Sequence, residues 1–235
     1  MQSKRLTVLA TCFMLALSIC SNANPSPSAI GSSEALTVDA DFPGGNIIVD
    51  HIEGDTVFLK PDLRDTSTWW FYWHFCVRGA AGRTIKFQFV DRSPIGTRGP
   101  AFSKDGGKTW SWLDPKAERD SSFTYEFGER DRDVQFCFSI PYLEANLQQF
   151  IRKHDDDPHL HVRELCRSRR GRPVKRLHVG KIHGDPRYRI LITARHHACE
   201  MIASYSLEGL LESVLSDTNW TKRLRRLTAT INCIC

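Results

Sequence analysis

The chain has 235 residues, of which 41% are hydrophobic, 25% charged and 10% aromatic. That apolar content excludes wholesale disorder, and the length fits one large domain or two modest ones. The formal net charge of +5 is mild, and much of the excess sits at residues 163–176 and 222–226. This argues against the broad basic footprint of a nucleic-acid binder; the two runs read as a solvated connector and a helix end.

Residues 1–23 have the layout of a signal peptide. Lys4 and Arg5 precede an apolar stretch at residues 6–19 that is short for a bilayer span, and Ser21, Asn22 and Ala23 lead into a cleavage site. Export to a periplasmic or extracellular compartment is therefore expected. Ile19 stands where a lipoprotein signal needs a small residue, so lipidation is the lesser reading, and no later segment reads as transmembrane. Cleavage after Ala23 removes Cys12 and Cys20 and leaves Cys76, Cys137, Cys166, Cys199, Cys233 and Cys235. Export makes disulfides chemically possible without fixing any pairing. Residues 24–34, rich in Pro and Ser, read as a linker.

Residues 35–140 read as a β-sandwich of short strands and turns. Strands are expected at residues 36–40, 46–52, 56–61, 69–78, 84–90, 101–103, 109–113, 122–127 and 134–140. The run 69–78, aromatic almost throughout, predicts a central strand covered on both faces, and 84–90 alternates with period two. From residue 141 to 235 strands and helices alternate, as at the start of an α/β domain. A helix is expected at 143–151 with Leu143, Leu147 and Phe150 on one side, followed by strands at 162–168 and 173–179. A buried strand is expected at 188–194, and a helix at 198–215 with Ile202, Tyr205, Leu210, Val214 and Leu215 on its apolar side. Residues 227–233 read as a further strand beginning.

The strand-to-helix junction carries the chemistry. His197 and Glu200 are three residues apart and can reach one cation, and imidazole nitrogen with carboxylate oxygen suits Zn²⁺. An open α/β sheet places its site just past the carboxyl end of a strand. The run from Ile192 to Leu211, centred on Arg195-His196-His197-Ala198-Cys199-Glu200, resembles the first zinc-binding segment of the zinc carboxypeptidases, most closely the cytosolic-carboxypeptidase-like branch. The aromatic run at 69–78, the Pro141-Tyr142 pair and the basic run at 168–172 resemble that branch more loosely. Ala198-Cys199 departs from its usual Pro-Gly.

The resemblance implies an α+β, two-domain chain: an N-terminal antiparallel β-sandwich and the incomplete start of an α/β zinc-carboxypeptidase domain. It also implies His197 and Glu200 as zinc ligands, Arg195 facing the substrate, Zn²⁺ as cofactor, and a peptide or protein C-terminus as substrate. The third ligand, the general-base Glu and the carboxylate-gripping Arg of the family have no match here, so weak or absent peptidase activity is expected of this chain. A different class of reading is an exported β-sandwich module that recognises a polypeptide tail or glycan. A third is a frameshifted product.

Weaker signals have plain structural readings. Ser103, Asp105, Gly107, Thr109 and Trp110 fit an Asp-box, which reads first as a hairpin and second as a sugar contact. His154, Asp155, Asp156, Asp157, His159 and His161 read first as a solvated loop and second as metal ligands. Trp69, Trp70 and Trp73 read first as core and second as a carbohydrate platform. Asn219-Trp220-Thr221 is a glycosylation sequon, meaningful only in a eukaryotic secretory pathway.

Overall fold

The computed structural model describes residues 34–64, 66, 71–114, 118–216 and 222. The signal and most of the linker, Trp69, Trp70, the sequon, residues 227–233 and the last two cysteines lie outside the described residues. Alternation of apolar and polar side chains builds two facing sheets. The first has the order β1 (Thr37–Asp39), β4 (His74–Arg78), β10 (Asp133–Cys137), β6 (Ala101–Ser103) and β7 (Ser111–Trp112), with every pair antiparallel. The second has the order β2 (Ile48–Glu53), β3 (Thr56–Lys60), β5 (Thr84–Phe89), β9 (Ser122–Glu126) and β8 (Glu118–Arg119).

This second sheet corrects the antiparallel expectation, because β3 and β5 run parallel with Val57 opposite Phe87. The reason is topological. Between them the chain crosses to the first sheet to make β4, so it returns in the direction it left.

Ile85, Phe87 and Phe89 of β5 are buried while Thr84 and Lys86 are exposed. They meet Phe75 and Val77 of β4, Phe123 and Tyr125 of β9, and Val134 and Phe136 of β10 in one aromatic core. Trp73 lies in the same core with 0% exposure, and its indole N–H donates to the Pro94 carbonyl at 3.0 Å. It is core, therefore, rather than a sugar platform. Gly79 ends β4 at φ +70, where a Cβ would stand 2.3 Å from the Ala35 carbonyl, so the turn into β5 requires glycine.

The Asp-box is a hairpin lock between β6 and β7. The Asp105 carboxylate accepts from the Thr109 hydroxyl at 2.6 Å and from the Lys108 and Thr109 amides, while Gly107 N–H donates to Ser103 Oγ at 2.9 Å. The Thr109 bonds above all hold the Asp105 carboxyl down at about 2. Trp110 donates to the Gly107 carbonyl and packs edge-on against His74, 5.5 Å between ring centres.

A second core lies beyond the first sheet. The helix α1 (Glu144–Lys153) buries Leu147 and Phe150 as the pattern predicts, and Asn146 Oδ1 accepts from the Leu143 amide to cap its start. The hairpin of β11 (Leu160–Arg167) and β12 (Pro173–Val179) adds Leu177 and Val179. The helix α2 (Met201–Leu215) buries Met201, Ser204, Leu207, Leu211, Val214 and Leu215. Its apolar side is thus rotated from the expected one: Ile202 is 72% exposed, whereas Val214 and Leu215 are inside as expected.

Residues 188–194 form no strand, and Tyr188, Ile190 and Leu191 are exposed. An apolar run reads as a buried strand only if neighbouring strands take up its backbone groups, and among the described residues none pairs with it. Cys76, Cys137, Cys166 and Cys199 are free thiols.

Two outcomes test this packing. Phe136 contacts the rings of Phe75, Phe87, Phe123, Tyr125 and Phe127. Phe136→Ala is expected to cost about 3–5 kcal/mol in urea unfolding. Burial pushes His74 down from 6.5 to about 4 despite its 3.2 Å contact with Gln135. The unfolded chain then takes up a proton that the fold refuses. Stability should therefore fall as pH drops from 6.5 towards about 4, by on the order of 3 kcal/mol, and His74→Gln should flatten that fall.

Candidate metal site

Three elements place the site: the loop 195–200, the start of α2, and the Pro141-Tyr142 step where the chain leaves the sandwich. Arg195 has φ +58, a left-handed conformation that a non-glycine residue adopts only when its surroundings hold it. The holding contacts come from its own guanidinium. Nη1 donates to the Tyr142 carbonyl, and Nε and Nη2 donate to the Ala198 carbonyl at 3.2 and 3.1 Å. The fork thus ties both ends of the loop to a residue 53 positions earlier.

The tyrosines close the junction from the helix side. Tyr205 Oη donates to the Pro141 carbonyl at 2.8 Å, Tyr142 Oη donates to Glu208 at 2.7 Å, and the two rings meet edge-to-face. No sequence pattern pointed to Tyr142, Tyr205 or Glu208 as a set. The Pro141-Tyr142 pair and Tyr205 had each been singled out for other reasons, and the partners of that pair lie 64 and 66 residues away.

Inside this frame His197 and Glu200 come together as their spacing predicts. His197 Nδ1 and Glu200 Oε1 are 2.7 Å apart, and the His197 amide donates to Oε2 at 3.1 Å. The contact with His197 draws the Glu200 carboxyl below its ordinary range, so it is a ready anion. Both side chains are open to solvent, with 67% and 41% of their surfaces exposed. His196 turns away to Thr193 Oγ1 at 3.0 Å. Cys199 is half-buried, and burial raises its thiol pKa.

The pair suits a divalent cation as two of its ligands, one nitrogen and one oxygen from residues three positions apart. It does not complete a zinc site: among the described residues, no group of three or more His, Cys, Asp or Glu side chains could hold a metal ion. Three members of the second candidate cluster have partners of their own. His154 pairs with Glu212 at 3.1 Å, and Asp157 accepts from the His159 amide while the His159 ring meets the Gly180 carbonyl.

No family model matches the chain. Among curated proteins it is 25% identical over 200 residues to an uncharacterized protein of Zymomonas mobilis, covering 83% of this chain and 51% of that one. It is 24% identical over 228 residues to cytosolic carboxypeptidase 6 of Caenorhabditis elegans, covering 86% and 49%. It is 29% identical over 122 residues to cytosolic carboxypeptidase 2 of Xenopus tropicalis, covering 48% and 13%. Among solved structures it matches a metallo-carboxypeptidase from Burkholderia cenocepacia at 23% identity and TM-score 0.68, covering 85% of this chain and 55% of that one. A metallo-carboxypeptidase from Pseudomonas aeruginosa, solved with (2-guanidinoethylmercapto)succinic acid, matches at 24% identity and TM-score 0.67.

The fold is therefore that of about half of a metallo-carboxypeptidase structure. The chain is related to the metallo-carboxypeptidases, cytosolic carboxypeptidase homologues included, over most of its length. It spans about half the length of the Zymomonas and Caenorhabditis relatives and a smaller share of the Xenopus one.

The role of Arg195 in shaping the loop is testable. Arg195→Gly suits the left-handed backbone but deletes the fork. Hydrogen exchange at the amides of residues 196–200 should then speed up by about tenfold or more, with the sandwich core unchanged. Unchanged exchange in the loop would show that backbone geometry alone holds it.

Proposed function

We propose that this chain carries part of a zinc-dependent carboxypeptidase site, with His197 and Glu200 as two of the metal's protein ligands and a peptide or protein C-terminus as substrate. The observation that carries the reading is the convergence of Nδ1 and Oε1 to 2.7 Å at the entry to α2. Relation to metallo-carboxypeptidases over most of the chain supports it. Bound zinc in such a site lowers the pKa of a water and polarises a carbonyl.

The residues of this chain have their own tasks. His197 and Glu200 present two neighbouring donors at an exposed loop. Arg195 fixes that loop, and three of its five N–H donors are used on Tyr142 and Ala198, leaving two to face a substrate carboxylate or carbonyl. The Tyr142–Glu208 and Tyr205–Pro141 bonds orient α2 beneath the loop. With two candidate donors brought together among the described residues, weak peptidase activity at most is the expected outcome. We also read residues 1–23 as an export signal, which N-terminal sequencing of secreted protein would check by a start at Asn24.

Zinc titration by calorimetry tests the site directly. One zinc should bind, and the His197→Ala, Glu200→Ala double variant should lose it. Equal binding by both proteins would remove these two residues from the metal.

A further inference from the structure

The β11–β12 hairpin holds a charge arrangement that folding alone does not favour. Residues 160–179 contain seven Lys or Arg against one acidic residue, Glu164, a surplus larger than the +5 of the entire chain. The register sets like against like: His161 lies opposite His178, and Arg163 lies opposite Arg176. Like charges directly across an antiparallel pair are destabilising.

The four share one face, because the alternate positions Leu160, Val162, Leu177 and Val179 face the second core. The basic face is therefore pinned outward. Its acid offers no relief, since Glu164 belongs to the other set of positions and pairs with Arg167 at 3.0 Å.

The donors on this face are under-used. Arg163 Nε reaches only the His161 ring, at 3.4 Å. Arg176 Nε and His178 Nε2 are buried and, among the described residues, have no hydrogen-bond partner. An unpaired buried polar atom is costly, and Arg176 Nε is a donor in every state. After burial, Arg176, Arg163 and His161 hold His178 below its ordinary pKa, which is the mark of crowded positive charge.

We propose that His161, Arg163, Arg176 and His178 form a seat for a tetrahedral oxyanion, a phosphate or sulfate group. Guanidinium forks match the oxygen geometry of such groups, and the imidazole N–H supplies a further donor. The seat is on the hairpin, apart from His197 and Glu200 in sequence, and holds whether or not those two bind a metal.

The test compares thermal unfolding in sodium phosphate, sodium sulfate and sodium chloride at equal ionic strength, and calorimetric titration with inorganic phosphate. Phosphate or sulfate should raise Tm beyond chloride. Arg163→Gln with Arg176→Gln should weaken phosphate binding by about tenfold or more while raising Tm in chloride, because the like-charge pair is gone. Arg169→Gln with Arg172→Gln, at the hairpin tip, should keep the phosphate effect.

A parallel arm measures co-sedimentation with phosphatidylglycerol vesicles. Vesicle binding that the Arg163/Arg176 pair controls, without a free-phosphate effect, identifies a lipid headgroup as the source of the anion. Equal Tm shifts in all three salts, without vesicle binding that the pair controls, would overturn the seat. So would equal loss of the phosphate effect in the tip variant, since either result leaves only diffuse charge screening.

Discussion

The structure depends on one strand being buried on both faces. Phe75 and Val77 of β4 enter the aromatic core between the sheets, while the buried His74 and Cys76 alternate to the other face, where His74 meets Trp110. A half-buried strand could have served the sandwich alone. This one joins the sandwich to the helices, because β10, its neighbour, ends in Cys137 and runs on through Pro141 into α1. Burial sets the local chemistry accordingly: Cys137 is pushed up to about 12 and stays a thiol, and His74 stays neutral at physiological pH. Where His74 and Cys137 stand opposite each other in the register, this face of the sheet is polar in composition and uncharged in practice, while Arg78 at the end of β4 is paired with Asp39 and Asp133.

The His197–Glu200 pair inherits its position from that junction. Its own residues are exposed and bond mainly to each other, so nothing in their immediate packing sets where they stand. Placement comes from Arg195, whose strained backbone is held by donors spent on Tyr142 and Ala198, and from the Tyr142–Tyr205 contact beneath. The step by which the chain leaves the sandwich is thereby part of the pair's geometry.

Much of this was legible in the residues. Short alternating strands have unmistakable periodicity, so β5, β6 and β12 fall within a residue of expectation. The His197–Glu200 convergence followed from an i, i+3 spacing. What escaped shares a physical cause: it depended on partners distant in sequence. The parallel β3–β5 pairing follows from a chain crossing that no local pattern records. The inward turn of Arg195 needs a carbonyl 53 residues away. The rotation of α2 was missed because two apolar phases fit one 3.6-residue period, and packing selects the one containing Ser204 over Ile202. The run 188–194 was misread because apolar character says what can be buried, not what is.

That last segment also bears on how the protein behaves in solution. Tyr188, Ile190 and Leu191 stand exposed, on backbone that no strand has taken up. Such a stretch is a template for another copy of itself, the nucleus of cross-β association. Its flanks work against this. Pro186 precedes it, Arg187 lies over the Tyr188 ring at 5.3 Å, and Arg189 interrupts the run while tethered to Asp185 at 2.9 Å. Proline and interspersed charge are the gatekeepers that keep sticky segments from stacking. The two arginines thus stand where charge hinders the exposed apolar side chains of one copy from stacking on those of another.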